Sequence, residues 1–385
     1  MVSIDASSLF FARDAIASIL AAAGVVALAS PAPAAGTGPG GACDPPDKIT
    51  GSPAETAWRL WVAAHCPVNA DRYPFVVWEN WIEQGQMYPV DPSRGLVVPN
   101  AGATTAPHLL RGSALGTLNG LPVDPATQCT LSMSHRLICE EVRLNGTQED
   151  YIAGRGLWNR AGQQQLAAAG ADIRFPKPAV EMKIDWIVLD TCSNPPSGVH
   201  VERINGNCFA LAGMHLISKL RANWIWATFE PQNLTTNPER CVALGCKDRF
   251  GSRPAVSRGG PDGFTDLSPK LASLMTNAHL AEEWRNYRLD GVQTDFVGAD
   301  GKPTLLGNSI IEAENAGVPL NQASCISRHA VSSISANGTD GIVLLTSNLV
   351  GRPKPLPGAD WIRRDFVWSL TEACFNSPFQ TCPSP

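Results

Sequence analysis

The sequence predicts an α+β protein in which a central, mainly antiparallel β-domain lies between helical N-terminal and C-terminal segments. Three observations predict it. Residues 179–190 (AVEMKIDWIVLD) alternate with period two, placing Val180, Met182, Ile184, Trp186 and Val188 on one face and Glu181, Lys183 and Asp185 on the other; this is the pattern of a half-buried strand. Residues 208–217 (CFALAGMHLI) are apolar at both parities and read as a strand covered on both faces. Towards both ends of the chain the apolar residues recur instead at helical spacing.

Taken in order, Ser52-Pro53-Ala54-Glu55 supplies an N-cap, a first-turn proline and an acidic third position. Trp58, Trp61 and Val62 follow at helical spacing, and Pro67 lies past the end. A second helix is expected within Tyr73–Pro89, with Trp78, Trp81 and Ile82 on one face. Four tryptophans in two short helices read as the packing faces of amphipathic elements. Residues 95–128 are loop-like. The β-rich stretch then holds the two strands above, the long loop Thr191–Asn207 between them, and a third strand, Asn223–Glu230 (NWIWATFE), rich in aromatic and β-branched types. Ser268-Pro269 starts a helix that runs through Leu271, Leu274, Met275 and Ala278 to Trp284. Ile362, Phe366 and Leu370 at four-residue spacing predict a docking helix over Asp360–Cys374. The expected organisation is a signal peptide at 1–34, a flexible lead-in at 35–53, a helical and loop segment at 54–128, a β-rich domain at 129–262 and a mainly helical region at 263–385.

The compartment follows from the first forty residues and the cysteines. Ala15–Ala29 is an unbroken stretch of small and apolar side chains, and Ala32-Pro33-Ala34 offers a cleavage site, the order of a secretory signal. The stretch is shorter than the ~20 residues that span hydrocarbon, and no later one is long enough. Arg13 stands against Asp5 and Asp14, so the positive charge usual before such a stretch is weak. A periplasmic or secreted protein is expected. The net charge of −5, without a lysine or arginine run, argues against nucleic acid as a partner. All eleven cysteines lie between Cys43 and Cys382, which predicts disulfides in an oxidising compartment. Cys192 with Cys208, Cys241 with Cys246 and Cys374 with Cys382 are plausible pairs by spacing. The odd number leaves one thiol over.

Cys325-Ile326-Ser327-Arg328-His329 is the segment with the clearest chemistry. In C-x-x-C-H, two thiols bond the haem vinyl groups and the adjacent histidine becomes an axial iron ligand. Here the first cysteine and the histidine keep that spacing, while Arg328 stands where the second thiol belongs. A disulfide cysteine beside a surface histidine, or a fragment of a metal site, would give the same spacing.

The stretches Tyr287–Glu312 (YRLDGVQTDFVGADGKPTLLGNSIIE) and Ala323–Ala330 (ASCISRHA), with WRLWVAAHCPV, FPKPAVEMKIDW, LAGMHLISK and WIWATFE upstream, resemble a group of exported bacterial cytochrome c family proteins. The resemblance covers most of the chain after the signal. It implies a haem c carried on Cys325 with His329 as the iron ligand, and periplasmic redox or electron transfer with a redox partner. Two positions depart from the pattern: Arg328 replaces the second haem cysteine, and Pro231 follows Glu230 where histidine is expected. Three arrangements are therefore open: a single thioether from Cys325, haem held without stable attachment, or a relic without haem. No methionine follows Met275, so a sixth iron ligand would come from upstream, with Met214, His215, Met275 and His279 as candidates.

A reading from a different class rests on the β-domain. His215 and Glu230 lie on neighbouring strands and could act as a proton-transfer histidine beside a carboxylate, with Glu181 and Lys183 on the preceding strand; a buried histidine bonded to a backbone carbonyl is the plainer alternative. On that reading the chain is a haem-free secreted protein that binds or processes an extracellular ligand. Glu312 and Glu314 beside Asn308 suggest calcium ligation or a solvated turn. No nucleophile elbow, P-loop, H-E-x-x-H or dinucleotide fingerprint occurs. The partner of Cys325 separates the two classes.

Overall fold

A computed structural model describes residues 41–68, 75–89, 96, 117–118, 121–122, 129–204, 206–232, 248, 250–251, 267–346 and 349–374. The expected signal segment and the Cys241–Cys246 pair lie outside these residues. Helices and a mainly antiparallel sheet are both present, as the α+β class requires.

Helix α1 (Pro53–Ala64) begins as its sequence dictates: the Ser52 hydroxyl accepts from the Glu55 backbone N–H at 3.1 Å, and the first-turn proline needs no donor. Its Trp58 and Trp61 are fully buried. The expected second helix does not form over residues 78–82; within 73–89 the described residues hold one α-helical turn, Gln84–Met87, capped by Glu83. A 3₁₀ turn over Val77–Asn80 is held by Glu79, which accepts from the Val76 N–H at 2.6 Å. Ile82–Glu83 then leaves as a two-residue strand, β1. Pairing to the sheet edge satisfies backbone groups that a short helix would have left exposed at its ends.

The other strands of that sheet among the described residues are β2 (Thr130–Leu131), β3 (Leu137–Leu144), β4 (Val180–Leu189), β5 (Val201–Ile204), β6 (Asn207–Ser218), β7 (Ile225–Pro231) and β8 (Tyr287–Gln293). They form one eight-stranded sheet whose main path is β8-β7-β6-β4-β3-β1, with β2 on β3 and β5 on β6. Every pairing is antiparallel. Helices α2 (Gly146–Gly154) and α3 (Arg160–Ala168) connect β3 to β4. The sheet thus crosses both expected boundaries of the β-domain: β1 comes from the N-terminal segment, and β8 from the region expected to be mainly helical.

One face of the sheet carries the main core. Val180, Met182, Ile184 and Trp186 of β4 pack with Leu211, Met214 and Leu216 of β6 beneath α1 and α4 (Pro269–Asn277). Trp61 meets the Phe229 ring of β7 at 4.3 Å between centroids. Among the described residues three disulfides have both partners placed, Cys43–Cys66, Cys129–Cys139 and the expected Cys192–Cys208. Cys374 is also disulfide-bonded.

The opposite face is covered by the C-terminal part of the chain. Its elements are a π-helical segment, Ser309–Asn315, the short helix α5 (Cys325–His329), and the hairpin β9 (Ser333–Ser335) and β10 (Trp361–Arg363). The docking helix expected over Asp360–Cys374 is absent. Asp365 and Phe366 adopt positive φ values of 52° and 73° and reverse the chain after β10. Asp365 is fixed there by the Phe175 N–H at 2.8 Å and the Lys219 ammonium at 2.5 Å, contacts that offset the cost of left-handed backbone in ordinary residues.

Candidate functional site

The floor of the site is the polar face of β4, β6 and their neighbours. Cross-strand register sets His215 of β6 opposite Lys183 of β4 on one side and Thr228 of β7 on the other. Val142 of β3 faces Lys183, and Glu181 faces Ile217. Glu181 and Asp185, read in the sequence as the solvent side of a half-buried strand, are in fact buried. The Lys183 ammonium lies 2.6 Å from Glu140 on β3.

Over this floor, the π-helical segment lowers Glu312 onto His215. Asn308 caps the segment by accepting from the N–H groups of Ile310 and Ile311, and its amide donates to Thr228 Oγ1 at 2.8 Å. Gly213 makes that docking possible, because a Cβ there would stand 2.5 Å from Asn308 Oδ1. The wide turn, with the Ala313 N–H reaching back to the Asn308 carbonyl, advances the chain so that Glu312 returns to its own cap: its carboxylate accepts from the Asn308 N–H at 2.6 Å and lies 2.9 Å from His215 Nε2. Such π turns recur at functional positions.

Helix α5 brings Cys325 and His329 to the same place. Cys325 is buried and the free cysteine among the described residues; its thiol donates to the Leu306 carbonyl at 3.3 Å. His215, Glu312 and Cys325 each offer one ligand atom, and the three atoms lie within 4.8 Å of one another. His329 Nδ1 lies 2.8 Å from the Phe366 carbonyl and its ring packs 4.5 Å from that of Trp226. Since a carbonyl can only accept, Nδ1 carries the proton and Nε2 keeps its lone pair. Arg328 and His329 line a cavity of about 260 Å³ together with Lys183, His215, Glu312 and Cys325.

Charges around this cavity are perturbed in physically distinct ways. Burial pushes the Glu181 carboxyl up to about 7, against hydrogen bonds from Gln148 and Ser369 that favour its ionised form. Burial acts on Glu312 in the same direction, but the His215 charge, the hydrogen bonds from His215 and Asn308, and Lys183 outweigh it and hold Glu312 below the usual carboxylate value. The Cys325 thiol is pushed well above its ordinary value by burial and by the Glu312 carboxylate. Burial lowers His329 to about 3 despite its backbone bond, so this imidazole is neutral. Lys183 loses solvation, yet Glu140, Asp185 and Glu312 hold its ammonium above the ordinary lysine value.

Of the residues expected to matter, His215, Lys183, Cys325, Arg328 and His329 meet in one cavity. Glu230 does not join them. Its carboxylate is buried and accepts from the Ser309 N–H at 2.6 Å and the Ser309 hydroxyl at 2.5 Å, anchoring the start of the π-helical segment. The carboxylate partner of His215 is Glu312. Glu314 points elsewhere, accepting from the Ser134 N–H at 3.0 Å, so the two glutamates do not share a cation. The pairing of Glu312 was not visible in the sequence; the polar residues interleaved along β4 were the signal for the floor beneath it.

The fit to haem is poor. The unpaired thiol and the available His329 Nε2 suit a c-type attachment. However, ligand atoms of His215 and Glu312 stand within 4.8 Å of Cys325 Sγ and crowd the thiol. The cavity, at about 260 Å³, falls below the ~300–1,000 Å³ of clefts that enclose a drug-sized ligand. Among the expected sixth ligands, Met214 and Met275 are buried in the core on the other face, His279 is exposed, and His215 is engaged with Glu312. No protein-family model, curated protein or solved structure matches the chain.

Proposed function

We propose that the chain is an exported protein that binds a small polar ligand in the Cys325 cavity and processes it there without haem. The observation that carries this reading is the convergence of a free thiol, a histidine–carboxylate pair, a lysine and a neutral histidine on one cavity. Such a concentration of reactive and titratable groups around a cleft is the usual mark of a binding or catalytic site. The volume selects molecules of metabolite size. Lys183 and Arg328 offer donors to an anionic or carbonyl group, and His215, Glu312 and the Cys325 thiol stand beside the bound molecule. The export reading draws on the three disulfides and the N-terminal apolar stretch.

Two measurements test it together. Chain purified from a host that attaches c-type haem is expected to show no Soret band. A thermal-shift screen of small polar compounds is expected to find ligands that raise the wild-type melting temperature but leave Ile311→Trp, which fills the cavity, unmoved; saturation at about 100 Kd corresponds to ~2.7 kcal/mol. A Soret band that disappears in Cys325→Ala would instead establish the electron-transfer protein implied by the cytochrome resemblance.

A further inference from the structure

We propose that His215, Glu312 and Cys325 are the ligands of a divalent metal ion of the zinc class, bound with an open fourth position facing the cavity. This rests on the reading of the cavity as the functional site. The three side chains come from three separate elements, β6, the π-helical segment and α5, and bring one imidazole nitrogen, one carboxylate oxygen and one sulfur within 4.8 Å of each other. In a tetrahedral zinc site, bond lengths of about 2.0–2.3 Å place neighbouring ligands ~3.3–3.8 Å apart. To hold an ion, the sulfur closes on the other two ligands by at most about 1.5 Å, while His215 and Glu312, 2.9 Å apart, open slightly.

The donor types narrow the ion. A thiolate with an imidazole and one carboxylate suits zinc and its neighbours, whereas calcium and magnesium call for oxygen throughout. Three protein ligands with space beside them is the arrangement of a reactive zinc, whose fourth position takes water or substrate. The cavity of about 260 Å³ supplies that space, and His329 lines it with its Nε2 unprotonated. The rest of the site supports the ligands: the Asn308 N–H holds Glu312, and the Leu306 carbonyl faces the sulfur. Binding exchanges two protons for metal bonds: the Cys325 thiol proton leaves to solvent, and the Nε2 proton that His215 shares with Glu312 moves to Nδ1 or to solvent, freeing the nitrogen lone pair. The metal also gives the buried Glu312 and Cys325 a shared counter-charge.

Cobalt(II) is the probe. Full chain with its disulfides intact, stripped by a chelator, is titrated with Co²⁺ and then with Zn²⁺. One equivalent of cobalt is expected to give a thiolate charge-transfer band that zinc displaces. The band should vanish in Cys325→Ser, with affinity falling at least about 100-fold, and persist in His279→Asn, which removes an exposed histidine. Zinc should also protect Cys325 of the wild-type chain from maleimide, read by peptide mass spectrometry, a measurement that needs no variant to fold. Absence of both the band and the protection would overturn the metal site. If ligand stabilisation sensitive to Ile311→Trp survives in that case, the cavity reading stands and the metal proposal alone fails.

Discussion

His215 Nε2 lies 2.9 Å from Glu312 Oε1, although 97 positions separate the two residues in sequence. The pair is nearly enclosed, with side-chain exposures of 10% and 13%, and it joins the sheet floor to the C-terminal cover. Truncating one member leaves the other in a poorly solvated place. His215→Ala is therefore expected to lower stability by about 3 kcal/mol. A double-mutant cycle with Glu312→Ala should return a coupling above ~1 kcal/mol by urea denaturation; coupling near zero would mark the contact as solvent-screened.

The Cys325 thiol is held protonated by burial and by the neighbouring Glu312. At pH 8 in metal-free native protein its alkylation should be slow, and at least about tenfold faster in urea, because the thiolate is the reacting species. Glu312→Gln removes the negative charge and should accelerate native labelling. Peptide-level mass spectrometry isolates this residue from the other cysteines.

Glu181 makes a pH prediction with a definite sign. Its folded carboxyl titrates at about 7, above the ordinary 4.5, because burial disfavours the charge. The folded state therefore holds this proton more tightly than the unfolded chain does. Its stabilising contribution is complete below pH ~4.5 and is lost as pH rises through 7. Glu181→Gln should flatten the stability profile across that window and raise stability at pH 8, by no more than about 3 kcal/mol. Chemical denaturation at pH 4.5 and pH 8 reads the difference.

Gly213 is expected to be intolerant. Alanine would place its Cβ 2.5 Å from Asn308 Oδ1, and that amide is already tied to Thr228 and to two backbone N–H groups. Gly213→Ala should cost about 1–3 kcal/mol and displace Glu312 from His215. Loss of ligand-induced thermal stabilisation beyond the loss of intrinsic stability would report that displacement.

Much of the scaffold was legible in the sequence. Ser52-Pro53 and Ser268-Pro269 start helices where their capping chemistry places them, and Val180–Leu189, Asn207–Ser218 and Ile225–Pro231 are strands close to their expected bounds. The misses share a cause. Ile82–Glu83 and Trp361–Arg363 are short segments with helical spacing that pair as strands, since local periodicity over a few residues is a weaker constraint than satisfying backbone groups through a distant partner. Tyr287–Gln293 escaped because Arg288, Asp290 and Gln293 interrupt its apolar pattern, yet all three are buried at the sheet edge under the C-terminal cover.

The sequence by itself determined the α+β class and the alternating strand beneath the site; it offered Cys192 with Cys208 as a possible pair and singled out Cys325 and His329 as candidates. Those depend on composition, spacing and near neighbours, which a chain carries before it folds. Only the tertiary structure decided that Glu312 rather than Glu230 partners His215, that Cys325 is unpaired beside them, and that the polar edge of β4 is the floor of a cavity rather than a solvated face. The reason is physical. Which carboxylate meets a histidine across a sheet is set by how a distant segment docks, and here Asn308, the π-helical turn and the absence of a side chain at Gly213 together fix that docking.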